Sequence, residues 1–335
     1  MKKSLSILTL IAMIMVAGKS FAQSSLLATL SHEGNISVFH GATALKEAMV
    51  AAEHGDIITL SSGRYDAVTI DKAVTLRGAG MEEDVVNGTQ PTRIVGSFDI
   101  SIPDDATSML SMEGIYNTET ITIRGTLNNA IFQKSSFSMI TCSNSDVNSL
   151  TVVHCKMTDI IRFAANHTGS GSFINCYIYS PDFNKSIGSL EFTNCFIDKL
   201  EDGWSNTSIR NSVFTNCFLR FSSYNGDRVK LHDSNMCYNC VSYGNKLDNV
   251  SKLTNTVLET EEAFLALFKE DTFYELMDDA KNFCVGNDGT EVGLYGGNLP
   301  FSTHILSPQI TKCNVAAKTT VDGKLSVDIE VKAAE

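Results

Sequence analysis

The sequence predicts an all-β fold, a parallel β-helix in which short strands stack coil upon coil. Two observations predict it. A six-residue frame, apolar-x-Asn-Cys-x-apolar, recurs about every 21 residues through the middle of the chain. The intervals between copies hold only short alternating apolar runs broken by Asn, Ser, Gly and Thr, with no stripe long enough for a helix.

The clear copies are Phe173-x-Asn175-Cys176-x-Ile178, Phe192-x-Asn194-Cys195-x-Ile197 and Phe214-x-Asn216-Cys217-x-Leu219. Cys237, Asn239, Cys240 and Ser242 close the series. Looser copies run upstream through Cys155, Ser135 and Glu113. Positions 113, 135, 155, 176, 195, 217 and 240 are spaced by 22, 20, 21, 19, 22 and 23 residues. A fixed period of this size marks a solenoid. Stacked coils place equivalent strands side by side, about 4.8 Å apart, and turn the apolar frame positions into one core. Cys then acts as a small buried residue between Phe and Ile neighbours. Asn before it suits a tight turn, because Asn tolerates the left-handed conformation. Stacked Asn side chains can also hydrogen-bond from coil to coil.

A solenoid needs capped ends. Leu45, Ala48, Met49 and Ala52 share one helical face, with Thr43 as its expected N-cap. This helix is expected to plug the first coil. It leads into Gly55-Asp56-Ile57-Ile58-Thr59-Leu60, Gly63-Arg64-Tyr65 and Val74-Thr75-Leu76-Arg77-Gly78. The arrangement resembles the start of secreted right-handed β-helix proteins of the pectate-lyase-like superfamily. A second stretch, Phe273-Tyr274-Glu275-Leu276 followed by Gly286 and Asp288 to Gly297, is similar to their closing segment. Asp278-Asp279-Ala280 stands where Ser-Pro-Ala is usual there. The resemblance implies a right-handed β-helix, here of about nine coils.

The first 22 residues read as a secretory signal: Lys2 and Lys3, the apolar run Leu5 to Ala17, and Ser20-Phe21-Ala22 before Gln23. Export to the periplasm, the cell surface or the medium is the expectation. No other stretch is apolar and long enough to span a bilayer. Residues 23–54 are linker and cap helix, 55–255 the β-helix, and 256–335 a C-terminal helix with capping strands. A net charge of −12 argues against nucleic acid as partner. Nine cysteines in an exported chain suggest disulfides. The one-per-coil inward placement argues instead for free thiols, since parallel Cβ vectors disfavour bridging. Cys237-x-x-Cys240 falls on two inward positions, and no second Cys or His pair lies at zinc spacing.

Beyond the coils, Glu261 to Phe268 reads as an amphipathic helix with Phe264, Leu267 and Phe268 on its apolar side. It either packs on the solenoid or binds a partner. Residues 305–335 read as two strands about an Asp322-Gly323 turn, a hairpin closing the C-terminal edge or a sorting tail.

The resemblance implies polysaccharide lyases and glycoside hydrolases among possible activities. A hydrolase needs two carboxylates across the scissile bond. A lyase needs a base beside acids that neutralise a uronate or hold calcium. Outward positions after the frame residue are Lys156, Tyr177, Phe196, Phe218 and Val241, then Thr158, Tyr179, Asp198, Arg220 and Tyr243. No two acids stack, and the signatures of polygalacturonases and pectate lyases are missing. If the chain is an enzyme, Asp182, Asp198 and Asp202 are its acids and Arg220 or Lys199 its base, with calcium only in the lyase case. Otherwise no cofactor is expected. Tyr177, Phe196 and Phe218 form an outward aromatic column, with Trp204 and Tyr224 in adjoining loops. Such a column stacks sugar rings or docks a surface partner if open, and is a packing seam if the C-terminal helix covers it. The favoured expectation is a non-catalytic, adhesin-like binder of a polysaccharide or cell-surface partner. A divergent lyase or hydrolase is the alternative.

Overall fold

The computed structural model describes residues 26–85, 88–142, 146–159, 161–163, 169–181, 189–200, 209–222, 229–304, 309–315, 323–324 and 327–332. From Ile57 to Leu258 the chain alternates between two large sheets. Gly169–Ile174 lies in the first, Tyr177–Tyr179 in the second, Leu190–Thr193 back in the first and Phe196–Leu200 in the second. Neighbouring strands of successive coils pair in parallel. This is a parallel β-solenoid. It makes about seven regular turns, fewer than the nine expected from the sequence. The difference arises before Ser111, where an excursion between Gly78 and Pro91 and an added strand Phe98–Ile100 interrupt the period. At the other end the solenoid runs on to the strand Thr256–Leu258, three residues past the expected boundary.

Each regular coil turns a corner through one left-handed residue: Gly114, Lys134, His154, Asn175, Asn194, Asn216, Asn239 and Thr254 all have φ between 46° and 67°. The recurring Asn is thus a backbone requirement, since L residues avoid this region unless a short polar side chain eases it. The corner also corrects the first loose frame copy. Met112 pairs with Phe132 and Glu113 with Gln133, so Ile115, one past Gly114, holds the frame position. Read with Glu113, the pattern was displaced because Leu110 and Met112 mimic the apolar spacing.

Alternation then fills the core. Phe132, Phe173, Phe192 and Phe214 point in from the first sheet, and Met157, Ile178, Ile197 and Leu219 from the second; all are buried. Phe173, Phe192 and Phe214 stack face to face, with centroids 5.0 and 4.9 Å apart. The frame cysteines sit at the corner, wholly buried. Their thiols donate to the carbonyl two residues earlier, as from Cys176 to Ile174 at 3.2 Å and from Cys217 to Thr215 at 3.2 Å. The eight cysteines whose side chains are described, Cys237 and Cys240 included, are buried and free. Burial raises the thiols of Cys155, Cys195 and Cys217, and pushes Cys142 up to about 12.

At the first end, helix α1 (Ala44–Ala51) buries Ala44, Leu45, Ala48 and Met49, as its periodicity predicts. Thr43 precedes it but makes no capping bond; its hydroxyl donates to Glu47 instead. The segment read as linker forms a hairpin, Leu27–His32 and Asn35–His40. Leu27–His32 runs antiparallel to Ile57–Leu60 and so ends the parallel stacking. Beyond Leu258 come the short helices α2 (Glu261–Leu265) and α3 (Asp278–Lys281). The final hairpin pairs Gln309–Val315 with Val327–Lys332 antiparallel, as a sheet of its own. No helix among the described residues is long and apolar enough to cross a membrane. The expected signal, residues 1–22, lies outside them.

Candidate functional site

The outward face of the second sheet carries the expected aromatic column. Tyr177 pairs with Phe196 and Phe196 with Phe218 in exact parallel register. Their rings follow one another at 6.0 Å. The column is covered: Tyr177 is 9% exposed, Phe196 0% and Phe218 1%. The cover is residues 260–301, a strap that folds back over the sheet. Thr260 caps α2 by accepting the Ala263 amide at 3.2 Å. That cap directs Phe264 onto Phe218 and Tyr243. Phe268 meets Phe196 and Phe218 edge to face, at 5.4 and 5.0 Å. Tyr274 stacks on Phe196 at 4.0 Å and on Tyr177 at 5.5 Å. The column is a packing seam, worth about 0.5–1.5 kcal/mol for each aromatic pair beyond the area buried.

From there the strap climbs the Asn corner coil by coil. Asn216 exchanges two bonds with Asn287 and its carbonyl accepts the Gly293 amide. Asn175 donates to the carbonyls of Leu294 and Gly296. His154 reaches the Leu299 carbonyl at 2.9 Å. The ladder side chains at 175 and 216 therefore bind the strap rather than each other. The glycine-rich run explains itself here. A Cβ on Gly293, at φ +88°, would come within 2.4 Å of the Phe218 ring, and one on Gly297 within 2.4 Å of the Asn194 amide. At the strap's far end Lys156 lies over Phe273, 3.9 Å from its centroid, and pairs with Glu82.

Within this seam lies a polar cluster. Tyr179 and Asp198 are register partners, and Arg220 follows one coil on. Asp198 is 2% exposed. Its carboxylate accepts the Lys199 amide at 2.7 Å, the Tyr177 hydroxyl at 3.2 Å and the Tyr274 hydroxyl at 3.4 Å. Arg220 adds Nη1 bonds at 3.3 and 3.5 Å and turns its Nε to Glu261 at 2.8 Å. Burial, with the Asp198 charge behind it, pushes the Tyr177 and Tyr274 hydroxyls above their ordinary range. Burial works against the Arg220 charge, but Glu261 and Asp198 outweigh it and hold its pKa up. Both tyrosines thus stay neutral donors and Arg220 a fixed cation. The Lys199 ammonium lies over the Tyr179 ring, 4.8 Å from its centroid.

Of the residues singled out from the sequence, the fold brings together Asp198, Arg220, Tyr177, Phe196 and Phe218, with Lys199 on the rim. Asp182, Asp202, Trp204 and Tyr224 lie outside the described residues. Sequence reasoning missed Tyr274 as a partner of the column, Glu261 as a partner of Arg220 and His154 as an anchor of the strap. The signal for Tyr274 was present in its motif; nothing local announced that it would stack on Phe196, 78 residues away. No family model matches the chain, and no curated protein or solved structure does.

Proposed function

We propose that this is an exported, non-catalytic β-solenoid of the pectate-lyase-like kind that binds a glycan or a cell-surface partner through its loops. One observation carries the reading: Asp198 and Arg220, the one candidate acid among the described residues and the candidate base beside it, are committed to holding the strap. Asp198 is 2% exposed, with both oxygens bonded to protein donors. A group so occupied cannot approach a sugar ring without unmaking the seam. Binding chemistry is then left to the loops. Tyr177–Tyr179, Phe196–Leu200 and Phe218–Phe221 are register partners, so the ends of these three strands lie side by side. The segments that follow them carry Asp182, Asp202, Trp204 and Tyr224 among Asn, Ser and Gly. Aromatic faces beside short polar side chains suit carbohydrate.

A glycan array probed with residues 23–335 tests this, beside absorbance assays for unsaturated uronate on polygalacturonate, alginate and chondroitin. Binding that Trp204→Ala or Tyr224→Ala removes, with no turnover, is the expected result. Turnover that Asp198→Asn abolishes would overturn it.

A further inference from the structure

The outward column that carries the seam begins well before it. Its register runs from Arg64 through Arg93, Tyr116, Ser136 and Lys156 to Tyr177. The strap ends at Phe301, beside Lys156. Arg64 and Arg93 stay exposed. Their neighbours Tyr65 and Ile94 are buried in the core, so both arginines stand on the outer face. Their roots lie one strand spacing apart, about 4.8 Å. Arg93 is held in place. Its guanidinium carbon lies 5.0 Å from the ring centroid of Tyr116, half-buried on the next strand.

Like charges directly opposed on neighbouring strands repel. The chain as a whole carries −12, so carboxylates to relieve them are plentiful. Elsewhere they do: Arg77 meets Glu113, Arg124 meets Asp99 and Arg220 meets Glu261. Among the described residues no carboxylate pairs with Arg64 or Arg93. Asp66, the next outward side chain on the Arg64 strand, is exposed and pairs with neither. Protection of a sheet edge accounts for one arginine only. Arg64 lies on the edge strand of the second sheet, whereas the Arg93 strand is paired on both sides. We propose that the two arginines form an anion site, and that its ligand is a tetrahedral oxyanion, a sulfate or phosphate ester carried by a polysaccharide. The proposal rests on the glycan reading above and names the class of glycan. A guanidinium takes two oxygens in a fork. A carboxylate has two, and one arginine uses both. A sulfate or phosphate monoester presents three acceptor oxygens, enough to be shared between two guanidiniums on adjacent strands. The anion then offsets the repulsion that the register imposes.

Titration calorimetry of residues 23–335 at fixed ionic strength tests the proposal, with dextran sulfate and phosphomannan as ligands and dextran and polygalacturonate beside them. At least one ester-bearing polymer should bind, dextran should not, and polygalacturonate should bind at least about tenfold more weakly. Arg64→Gln and Arg93→Gln should each weaken binding at least about tenfold, and neither should melt below wild type, because both side chains are exposed and oppose each other. Arg93→Lys keeps the charge without the fork and should fall short of wild-type affinity. Lys46→Gln, an exposed charge on α1, should leave binding unchanged. Failure of both ester-bearing polymers to bind overturns the proposal. So does an equal loss in Lys46→Gln, full affinity in Arg93→Lys, or polygalacturonate held as tightly as the esters. The loop reading is told apart by its own variants. Neutral glycans lost with Trp204→Ala, and no ester bound, keep the loops and remove this site. An ester-bearing polymer lost with Arg64→Gln but indifferent to Trp204→Ala and Tyr224→Ala keeps this site and removes the loops.

Discussion

Asn175 holds the strap by a single amide group, donating to the Leu294 carbonyl at 2.7 Å and, beyond it, to Gly296 at 2.8 Å. The same residue sits at φ 48°. Two demands therefore meet at one position: a left-handed corner for the coil and a buried donor for the strap. They separate by mutation. Asn175→Gly keeps the corner and loses both bonds, and should cost about 1–3 kcal/mol. Asn175→Ala loses the bonds and strains the corner, adding about 1–2 kcal/mol. Urea unfolding should rank the variants wild type, Gly, Ala. Equal stability of Gly and Ala would show that the corner is not strained by a Cβ.

His154 stands on the same ladder in place of Asn and brings a pH dependence. Its Nε2 donates to Leu299, while its Nδ1 is buried without a hydrogen-bond partner. Burial lowers its pKa, with Lys134 adding to the effect. A histidine that resists protonation in the fold stabilises fully above its unfolded pKa of about 6.5, and that stability drains as pH falls below it. Between about pH 7 and 5 the chain should lose up to about 1.4 kcal/mol per pH unit from this residue. His32 slopes the other way, since its bond to Asp56 raises its pKa. The difference between wild type and His154→Asn isolates the effect. Parallel stability curves for the two proteins over that window would refute it.

Much of the fold was legible because one coil repeats another. Asn175, Asn194 and Asn216 announce a left-handed corner, and the Phe and Cys beside them announce which way is in. Legibility failed where the period did. Ile115 was missed because Leu110 and Met112 repeat the apolar spacing two residues early, and the hairpin Leu27–His32 to Asn35–His40 was missed because its turn residues fall in an otherwise weak pattern. The site was half legible. Asp198 and Arg220 could be placed together by counting from the frame cysteines. That Tyr274 and Glu261 would come to meet them follows from tertiary packing, which no local spacing encodes. An outward position and an exposed one are different things, and only the strap distinguishes them.

The thiol column gives a chemical test of the packing. Cys155, Cys176, Cys195, Cys217 and Cys240 are wholly buried and free. Burial raises the pKa of Cys155, Cys195 and Cys217, which removes the reactive thiolate as well as the access. Native protein should react slowly with a thiol reagent at neutral pH, and denatured protein rapidly, with no reductant present. If thiols emerge only after reduction, the cysteines are bridged. Cys195→Ala should cost about 1–2 kcal/mol for the cavity it leaves. Cys195→Asp should prevent folding, because the carboxylate would be buried among apolar neighbours.

Phe196 decides whether the aromatic column is a seam or a face. It is 0% exposed and meets Tyr177, Phe218, Phe264, Phe268 and Tyr274. Truncation to Ala should therefore behave as a core deletion and cost about 3–5 kcal/mol. The loss should fall partly on the strap, because Phe264, Phe268 and Tyr274 all belong to it. Limited proteolysis should then cut within residues 260–301 before it cuts the coils, while far-ultraviolet circular dichroism stays close to wild type. A residue on an open binding face would give the opposite pattern, with binding lost and the melting temperature unmoved. An unmoved melting temperature in Phe196→Ala would mean that the strap does not pack on this column in solution. It would also free Asp198 and Arg220 for substrate, and with them the enzymatic alternative.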